Sequence, residues 1–185
     1  ATLTLSAGTP QPPPREIIVV QGLPKAEKLE LVLQKGTELG ASAFSPVFTE
    51  RCVVKPSGRE AGKAQRWQRI VEEAARQCGR ADVPVVNPPR PLLETARALS
   101  ERALLLVLDE EEETLSLSAA IAPALSTSQP IALVIGPEGG LARSEVEALE
   151  HLGAVKVTLG RRVLRTETAA LAALAVLLFL QGELG

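Results

Sequence analysis

The sequence has 185 residues, a formal net charge of −2 and 45% hydrophobic residues, but Phe, Trp and Tyr together contribute only 2%. This length fits one domain with room for part of a second, and the near-neutral charge excludes a protein that coats nucleic acid through a global positive field. The scarcity of aromatic side chains also leaves few platforms on which bases can stack.

The first 24 residues differ in pattern from the rest of the chain. Residues 2–6 alternate as a strand would, residues 10–14 are rich in proline, and residues 17–21 are mostly β-branched. We interpret 1–24 as the remnant of a preceding domain with its linker, and 25–185 as the main domain.

The main domain begins with a helical pattern from Lys25, whose apolar residues recur on one face until Gly40 provides a C-terminal stop. The patterns that follow predict a strand, a helix, a short strand and a helix, at Ala43–Phe48, 62–78, 83–86 and 92–99. Trp67 lies on the apolar side of its predicted helix, which indicates a core position rather than a stacking platform.

Three apolar runs without alternation come next, at 103–108, Ile131–Ile135 and 155–159, and helical segments separate them. Such runs are typical of parallel strands that are buried on both faces. The sequence therefore predicts an α/β fold with a mostly parallel sheet and helices on both faces.

The most apolar segment, 169–180, has 12 residues, fewer than the roughly 20 needed to cross a bilayer. We interpret it as a buried core helix and expect no membrane association. No charged-then-apolar segment of the secretory type opens the chain, and from this we expect a cytoplasmic protein.

Glycine-containing loops follow two of the apolar runs, after Ile135 and after Leu159. Because ligands of open parallel sheets lie beyond the carboxyl ends of the strands, we expect Asp109, Gly136 and Gly160 to converge on one pocket. The neighbouring acidic run, 110–113, is most simply a solvated turn, and we assign it no function.

Several site types lack their sequence signatures. There is no Gly-x-Gly-x-x-Gly after the first strand and no phosphate-loop motif, so the pocket calls for a different nucleoside-like ligand. The two cysteines lack metal-ligand spacing, and the single histidine, His151, lies late in a predicted helix. Metal sites and Ser-His-Asp triads are therefore poorly supported, and we predict no metal.

Basic residues are concentrated between positions 51 and 80, where eight of them face only three acidic residues. This local excess predicts a basic face on a chain that is slightly acidic overall. Four of these side chains are our candidates for contacts with phosphate groups: Arg51, Lys55, Arg66 and Arg80.

Five blocks of the sequence together carry a family resemblance: KGTELG at 35–40, ERC at 50–52, QCGR at 77–80, IGPEGG at 135–140 and LGRRVLRTET at 159–168. In this order and spacing they resemble the SPOUT, or α/β-knot, methyltransferases, and most closely the RsmE-type enzymes. Members of that group methylate uracil N3 in small-subunit ribosomal RNA. The resemblance covers most of the chain.

The resemblance implies S-adenosylmethionine bound in a C-terminal trefoil knot, and a homodimer with active sites at the subunit interface. It also implies that residues 1–24 are what remains of an N-terminal PUA-like β-barrel that helps to hold RNA. The cofactor-binding residues that it indicates are Leu108, Ile135, Gly136, Gly139, Gly140, Leu159, Gly160, Val163, Leu164 and Arg165.

Two catalytic roles follow from the implied reaction. Uracil N3 carries a proton at neutral pH, so methylation requires removal of that proton and stabilisation of negative charge on the ring. Arg165 is the candidate for the second role, because a guanidinium is always charged and can fork across a carbonyl oxygen. Glu138 is the weaker candidate for proton acceptor or ligand orienter, and the alternative is a carboxylate that caps its own turn.

Two other functions remain open from the sequence. One is a non-catalytic RNA-binding or ribosome-assembly module with the same fold, against which the intact VLRTE segment at 163–167 argues. The other is a nucleotide-binding oxidoreductase, which would bind a nicotinamide cofactor instead.

Overall fold

The computed structural model describes residues 15–25, 27–56 and 60–184, so the predicted strand at 2–6 and the proline-rich 10–14 lie outside the described residues. The strands, in chain order, are β1 Ile17–Gly22, β2 Ala43–Phe48, β3 Val85–Val86, β4 Arg90–Pro91, β5 Leu104–Leu108, β6 Ile131–Ile135 and β7 Val155–Val157. The α-helices are α1 Lys28–Leu39, α2 Glu60–Cys78, α3 Leu92–Ser100, α4 Leu117–Ile121, α5 Arg143–His151 and α6 Thr166–Leu180.

One sheet of seven strands organises the described part of the chain. Its spatial order is β3-β2-β1-β6-β5-β7, with β4 also pairing with β2. Each of these pairings is parallel, and the register places Ile17 beside Ile131 and Ile18 beside Ala43. The carboxyl ends of β5, β6 and β7 therefore lie along the same edge of the sheet.

Alternate residues of the sheet pack against helices on opposite faces. Ile17 and Val19 belong to the core that includes α1, α2, α4 and α6. Ile18 and Val20 belong to the core that includes α3 and α5. The predicted α/β architecture, with a mostly parallel sheet and helices on both faces, is confirmed.

The segment 17–21 was assigned by its pattern to a preceding domain, and the structure corrects this assignment. It forms β1, which lies between β2 and β6 in the middle of the sheet, and all six residues of β1 are buried. A β-branched run specifies a strand but not its partners, so the pattern could not identify the sheet to which it belongs. The main domain therefore includes residues N-terminal to Lys25.

The other predicted elements differ from the structure mainly at their ends. β2 and β6 have the predicted bounds, α1 begins three residues later than predicted, and β7 is two residues shorter. The helix predicted at 169–180 begins at Thr166, and α4 is the helical segment expected between the apolar runs of β5 and β6, for which no bounds were predicted. Trp67 is buried in the core, as predicted. Within the described ranges, no helix has both the length and the apolar character to span a membrane.

Candidate functional site

A cavity of about 770 Å³ lies at the carboxyl ends of β5, β6 and β7. The loops that follow these three strands form its walls, and the first turn of α6 closes one side. Its volume is within the range of about 300–1,000 Å³ that is usual for small-molecule sites. The predicted convergence of the three strand ends on one pocket is confirmed.

The predicted cofactor residues lie on the cavity wall with one exception. Those that line it are Leu108, Ile135, Gly136, Gly140, Leu159, Gly160, Val163, Leu164 and Arg165. Gly139 is the exception and does not line the cavity. Its carbonyl oxygen accepts a hydrogen bond from Arg51 Nη1 at 3.0 Å. The structure thus brings these residues together, and their contact with a cofactor stays a prediction.

The loop after β6 folds back tightly on itself at two glycines. A Cβ atom on Gly136 would lie 2.8 Å from the carbonyl carbon of Gly140, which is closer than real contacts allow. Gly140 has a φ of +68°, and a Cβ atom there would lie 3.3 Å from Glu110 Oε1. The loop therefore needs glycine at Gly136 for space and at Gly140 for backbone conformation.

Arg165 occupies the position immediately before α6, with extended backbone dihedral angles and an exposed side chain. It lines the cavity, and among the described residues no hydrogen bond or ion pair engages its guanidinium. The guanidinium of Arg165 is therefore available to act on a molecule bound in the cavity.

Glu138 also lines the cavity, but its carboxylate is engaged within the protein. It accepts hydrogen bonds from Lys28 Nζ at 2.8 Å and from the Lys25 amide at 3.1 Å. Burial raises the pKa of Glu138, but the bonds from Lys28 and from backbone amides outweigh burial, so the pKa lies below its ordinary value. A carboxylate with a lowered pKa is a weaker proton acceptor, which favours an orienting role.

An ion pair between buried Asp109 and half-buried Arg143 joins the end of β5 to the start of α5. Asp109 is 6% exposed, and Arg143 donates to both of its carboxylate oxygens at 2.7 and 2.9 Å. Burial alone raises the pKa of Asp109, but the hydrogen bonds from Arg143 and the Glu111 amide bring it below its ordinary value. This pair, with its forked geometry, fixes two of the loops that form the cavity.

The acidic turn after β5 contributes to the cavity, although its sequence suggested only a solvated turn. Glu110 and Glu113 are exposed, as expected, and Glu112 is half-buried, but all three also line the cavity. The Thr114 hydroxyl and the amides of Leu115 and Thr114 lower the pKa of Glu112 to about 2. A run of like charge carries no information about what it faces, so sequence reasoning missed this acidic wall.

The four candidate RNA-binding residues have different surroundings. Arg51 and Lys55 are exposed, and Arg51 adjoins the loop after β6 through Gly139. The Arg66 side chain is 68% exposed while it forms an ion pair with Glu30 at 2.6 Å.

Arg80 is the least available of the four, because its Nη1 donates to the carbonyl oxygens of Thr37 and Ala41 at 2.8 and 2.9 Å. These bonds satisfy carbonyl groups at the end of α1, and Asp82 occupies the other side of the guanidinium. We therefore assign Arg80 a structural role in place of the phosphate contact that its charge suggested.

No group of three or more potential metal ligands occurs within residues 15–25, 27–56 and 60–184. Both cysteines are free, with Cys52 buried and Cys78 exposed.

The family described as an RNA methyltransferase domain matches residues 11–178. Among curated proteins, ribosomal RNA small subunit methyltransferase E of Bacillus subtilis is 40% identical over 168 residues, covering 89% of this chain and 66% of the relative. The protein of the same name from Mycobacterium tuberculosis is 42% identical over 171 residues, covering 88% and 63%. The chain thus spans about two thirds or less of the length of these relatives.

The solved structures that resemble this chain also include methyltransferases. Ribosomal RNA small subunit methyltransferase E of Neisseria gonorrhoeae, bound to S-adenosyl methionine, superposes with a TM-score of 0.79 at 34% identity. The match covers 90% of this chain and 67% of that one. A Legionella pneumophila protein described as a methyltransferase, in complex with the same cofactor, has a TM-score of 0.78 at 35% identity, covering 90% and 66%.

Proposed function

Because the chain belongs to the RNA methyltransferase domain family, we propose that it methylates uracil N3 in small-subunit ribosomal RNA with S-adenosylmethionine as the methyl donor. The observation that carries this proposal is the single cavity formed by the loops after β5, β6 and β7. The curated relatives are named for methylation of small-subunit ribosomal RNA, and two similar structures hold the cofactor.

The cavity fits this cofactor in shape and in chemistry. The absence of a side chain at Gly140 leaves a cradle that a Cβ atom would fill, so a ligand can approach the backbone there. The apolar side chains of Leu108, Ile135 and Leu159 suit an adenine ring. The acidic wall of Glu110, Glu112 and Glu113 suits the positively charged sulfonium and amino groups of the methionine part.

The cofactor, when bound, supplies a methyl group activated by its positively charged sulfur. The protein has to hold the base, exclude water and stabilise the negative charge that develops on the uracil ring. We propose that Arg165 provides this stabilisation, since its guanidinium is uncommitted and lies on the cavity wall. We propose Glu138 as an orienting residue, because its bonds to Lys28 and Lys25 hold the loop after β6 against the start of α1.

For RNA docking, we propose the exposed basic side chains of Arg51, Lys55 and Arg66 as contacts to phosphates that flank the target base. Such contacts position RNA without reading its sequence. A base paired in RNA cannot present N3, so the target uracil has to be unpaired or flipped outward.

We also propose a homodimer. Three features support it: the resemblance to a dimeric family, two exposed apolar residues on α6, and an exposed apolar residue on the cavity wall, Val163. Val176 is 38% exposed and Phe179 is 65% exposed on the outer face of α6, while Val163 is 79% exposed in the loop before it. A second copy of this face would cover these side chains.

Three further parts of the proposal concern the whole protein. The relatives are longer than this chain, which leaves room for the PUA-like barrel that the family resemblance implies before β1. The meeting of the three loops supports the trefoil knot. The action on ribosomal RNA supports a cytoplasmic location.

Isothermal titration calorimetry with S-adenosylmethionine tests the proposal at the level of the cofactor. We expect saturable binding by the wild-type chain and no binding of a nicotinamide cofactor. A non-catalytic RNA-binding module would show no heat with S-adenosylmethionine, and an oxidoreductase would bind the nicotinamide cofactor instead.

Mass mapping of methylated uridines tests the substrate. Ribosomal RNA from cells that lack the protein is expected to lose one methyluridine of the small subunit, and a plasmid copy of the gene is expected to restore it. Persistence of every methyluridine in the deleted strain would contradict the proposed substrate.

A further inference from the structure

A buried polar cluster lies at the carboxyl end of β1, beside the cavity, and the proposed chemistry gives its hydrogen bonds no role. It consists of the Gln21 side chain, the Thr166 hydroxyl and the Gly136 carbonyl oxygen. Gln21 is 1% exposed and Thr166 is 7% exposed, in the middle of an otherwise apolar interior.

The hydrogen bonds of this cluster connect three separate segments. Gln21 Nε2 donates to Thr166 Oγ1 at 2.9 Å and to the Gly22 carbonyl oxygen at 3.0 Å, with the Gly136 carbonyl oxygen at 3.3 Å. Thr166 Oγ1 donates to the Gly136 carbonyl oxygen at 2.5 Å. The end of β1, the loop after β6 and the first residue of α6 are thereby joined at one point.

The direction of each bond is determined by its partners. The single hydrogen of the Thr166 hydroxyl is used by Gly136, so the hydroxyl has to accept its bond from the Gln21 amide. The opposite amide orientation would place Gln21 Oε1 against two carbonyl oxygens, and both contacts would be repulsive. The amide nitrogen therefore faces the junction.

This orientation leaves the Gln21 Oε1 atom buried and without a hydrogen-bond partner among the described residues. A buried unsatisfied acceptor costs about 1–3 kcal/mol, a cost that an apolar side chain at the end of β1 would avoid. Buried polar atoms that lack a hydrogen bond occur preferentially at functional sites. The Gln21 side chain is connected with the cavity by its position.

Gly136 and Thr166 line the cavity, whereas Gln21 does not. Gly136 begins the loop that contains Gly140, and Thr166 directly follows Arg165 in the chain. Resting on the proposed function, we propose that Gln21 is a positioning residue. Through Thr166, its amide holds the loop after β6 and the start of α6 at the separation that cofactor binding and the Arg165 side chain require.

Two pairs of variants test this role. Gln21→Leu and Thr166→Val remove the amide and the hydroxyl at similar side-chain volume, and Thr166→Ser keeps the hydroxyl. Thr37→Val is the matched control, because Thr37 is fully buried and its hydroxyl donates to the Leu33 carbonyl oxygen at 2.7 Å inside α1. It tests for a general effect of losing a buried hydroxyl.

Two measurements report on each variant. Calorimetry gives the affinity for S-adenosylmethionine, and amide hydrogen exchange of the cofactor-free chain gives the local stability of residues 139–141 and 166–169. We expect Gln21→Leu and Thr166→Val each to weaken affinity about tenfold, which is about 1.4 kcal/mol, and to speed exchange in both segments. The double variant is expected to be no worse than the more affected single variant, and Thr166→Ser to restore affinity.

Unchanged affinity and exchange in both Gln21→Leu and Thr166→Val would overturn the inference, as would an equal loss in Thr37→Val. If Gln21→Leu does not fold, the comparison of Thr166→Val with Thr166→Ser decides the question. A wild-type chain that binds no S-adenosylmethionine would contradict the proposed function instead, and the exchange rates of the cofactor-free variants would still test the junction.

Discussion

At the scale of single residues, the cavity combines two kinds of contribution. Gly140 acts through its backbone, because its φ of +68° favours glycine and a Cβ atom there would crowd the carboxylate of Glu110. Arg165, in the role that we propose, acts through its side chain, which lines the cavity without a partner among the described residues. The two contributions are expected to respond differently to substitution.

Gly140→Ala is expected to weaken S-adenosylmethionine binding at least tenfold, because the added methyl group enters the cradle beside Glu110. It should also lower the free energy of unfolding by about 1–2 kcal/mol, owing to the left-handed backbone. Gly153→Ala is the matched control, since Gly153 has a φ of +83° but no neighbour within 4 Å of the new Cβ atom. Calorimetry and urea unfolding separate the two effects. Equal affinity in both variants would show that this loop is only a turn.

Arg165→Ala is expected to reduce the single-turnover rate of methyl transfer about 100-fold to 1,000-fold, the usual effect of losing one donor to a developing charge. Its affinity for S-adenosylmethionine should change much less, because the stabilised charge exists only near the transition state.

Arg161→Ala and Arg162→Ala are the comparison for Arg165→Ala. Both are exposed loop charges that also line the cavity, and we expect their effect to act through RNA affinity and to be rescued by lower salt. Rates are to be compared at saturating RNA and cofactor. A wild-type rate in Arg165→Ala, or its rescue by lower salt alone, would assign Arg165 to RNA docking.

The sequence predicted the components of the site better than their pairing. The glycine loops could be identified because strand ends and glycine positions are local features. The ion pairs of Asp109 with Arg143 and of Lys28 with Glu138 could not, because their partners are separated by 34 and 110 positions in the chain. Only the strand order brings these partners together, so the lowered pKa values of Asp109 and Glu138 became visible only in the structure.

At the scale of elements, the Asp109 and Arg143 pair links β5 to α5 across the cavity. Asp109→Asn is expected to lower the free energy of unfolding near pH 7 by about 1.5–3 kcal/mol, the range for hydrogen bonds to charged groups. The folded-state pKa of Asp109 lies below its unfolded value, so its contribution is complete above about pH 4 and disappears as pH falls through the folded-state pKa.

Urea unfolding of wild type and Asp109→Asn across acidic pH measures this contribution. The difference between the two proteins should begin to shrink as the pH falls below about 4, because Asp109 of the unfolded chain is protonated there first, and it should vanish below the lower folded-state pKa. Glu147→Gln, an exposed carboxylate change on the same helix, is the control and should alter stability little. A difference that stays constant with pH would show that the pair is not responsible.

Element prediction succeeded where the pattern was both periodic and local. The amphipathic helices and the apolar strands β2 and β6 were found from their residues alone. The failure at β1 is different in kind, because its conformation was recognised but its domain was not. Its neighbours, β2 and β6, are specified by the whole sheet, and residue Ile17 pairs with Ile131 across 114 positions.

At the scale of the whole molecule, the proposed dimer depends on the exposed face of α6. Sedimentation at micromolar concentration is expected to give twice the chain mass of 19.5 kDa. Phe179→Arg should shift the protein to a monomer, because a charge would be buried at the interface. Val85→Arg is the control, since Val85 is 57% exposed on β3, an edge strand of the sheet, whereas α6 packs against β1 and β6. A wild-type monomer, or equal behaviour of both variants, would contradict the dimer.

The central place of β1 also bears on how the chain folds during its synthesis. β2 follows β1 closely, but its other neighbour, β6, is completed only when residue Ile135 has emerged. Until Ile135 has emerged, one edge of β1, whose residues are all buried in the folded chain, has no partner strand, and the two helix layers cannot close over it. Non-local parallel pairing of this kind slows folding and exposes strand edges to other chains. The last third of the sequence, which contains the cavity loops after β6 and β7, is thus also the part whose arrival completes the core.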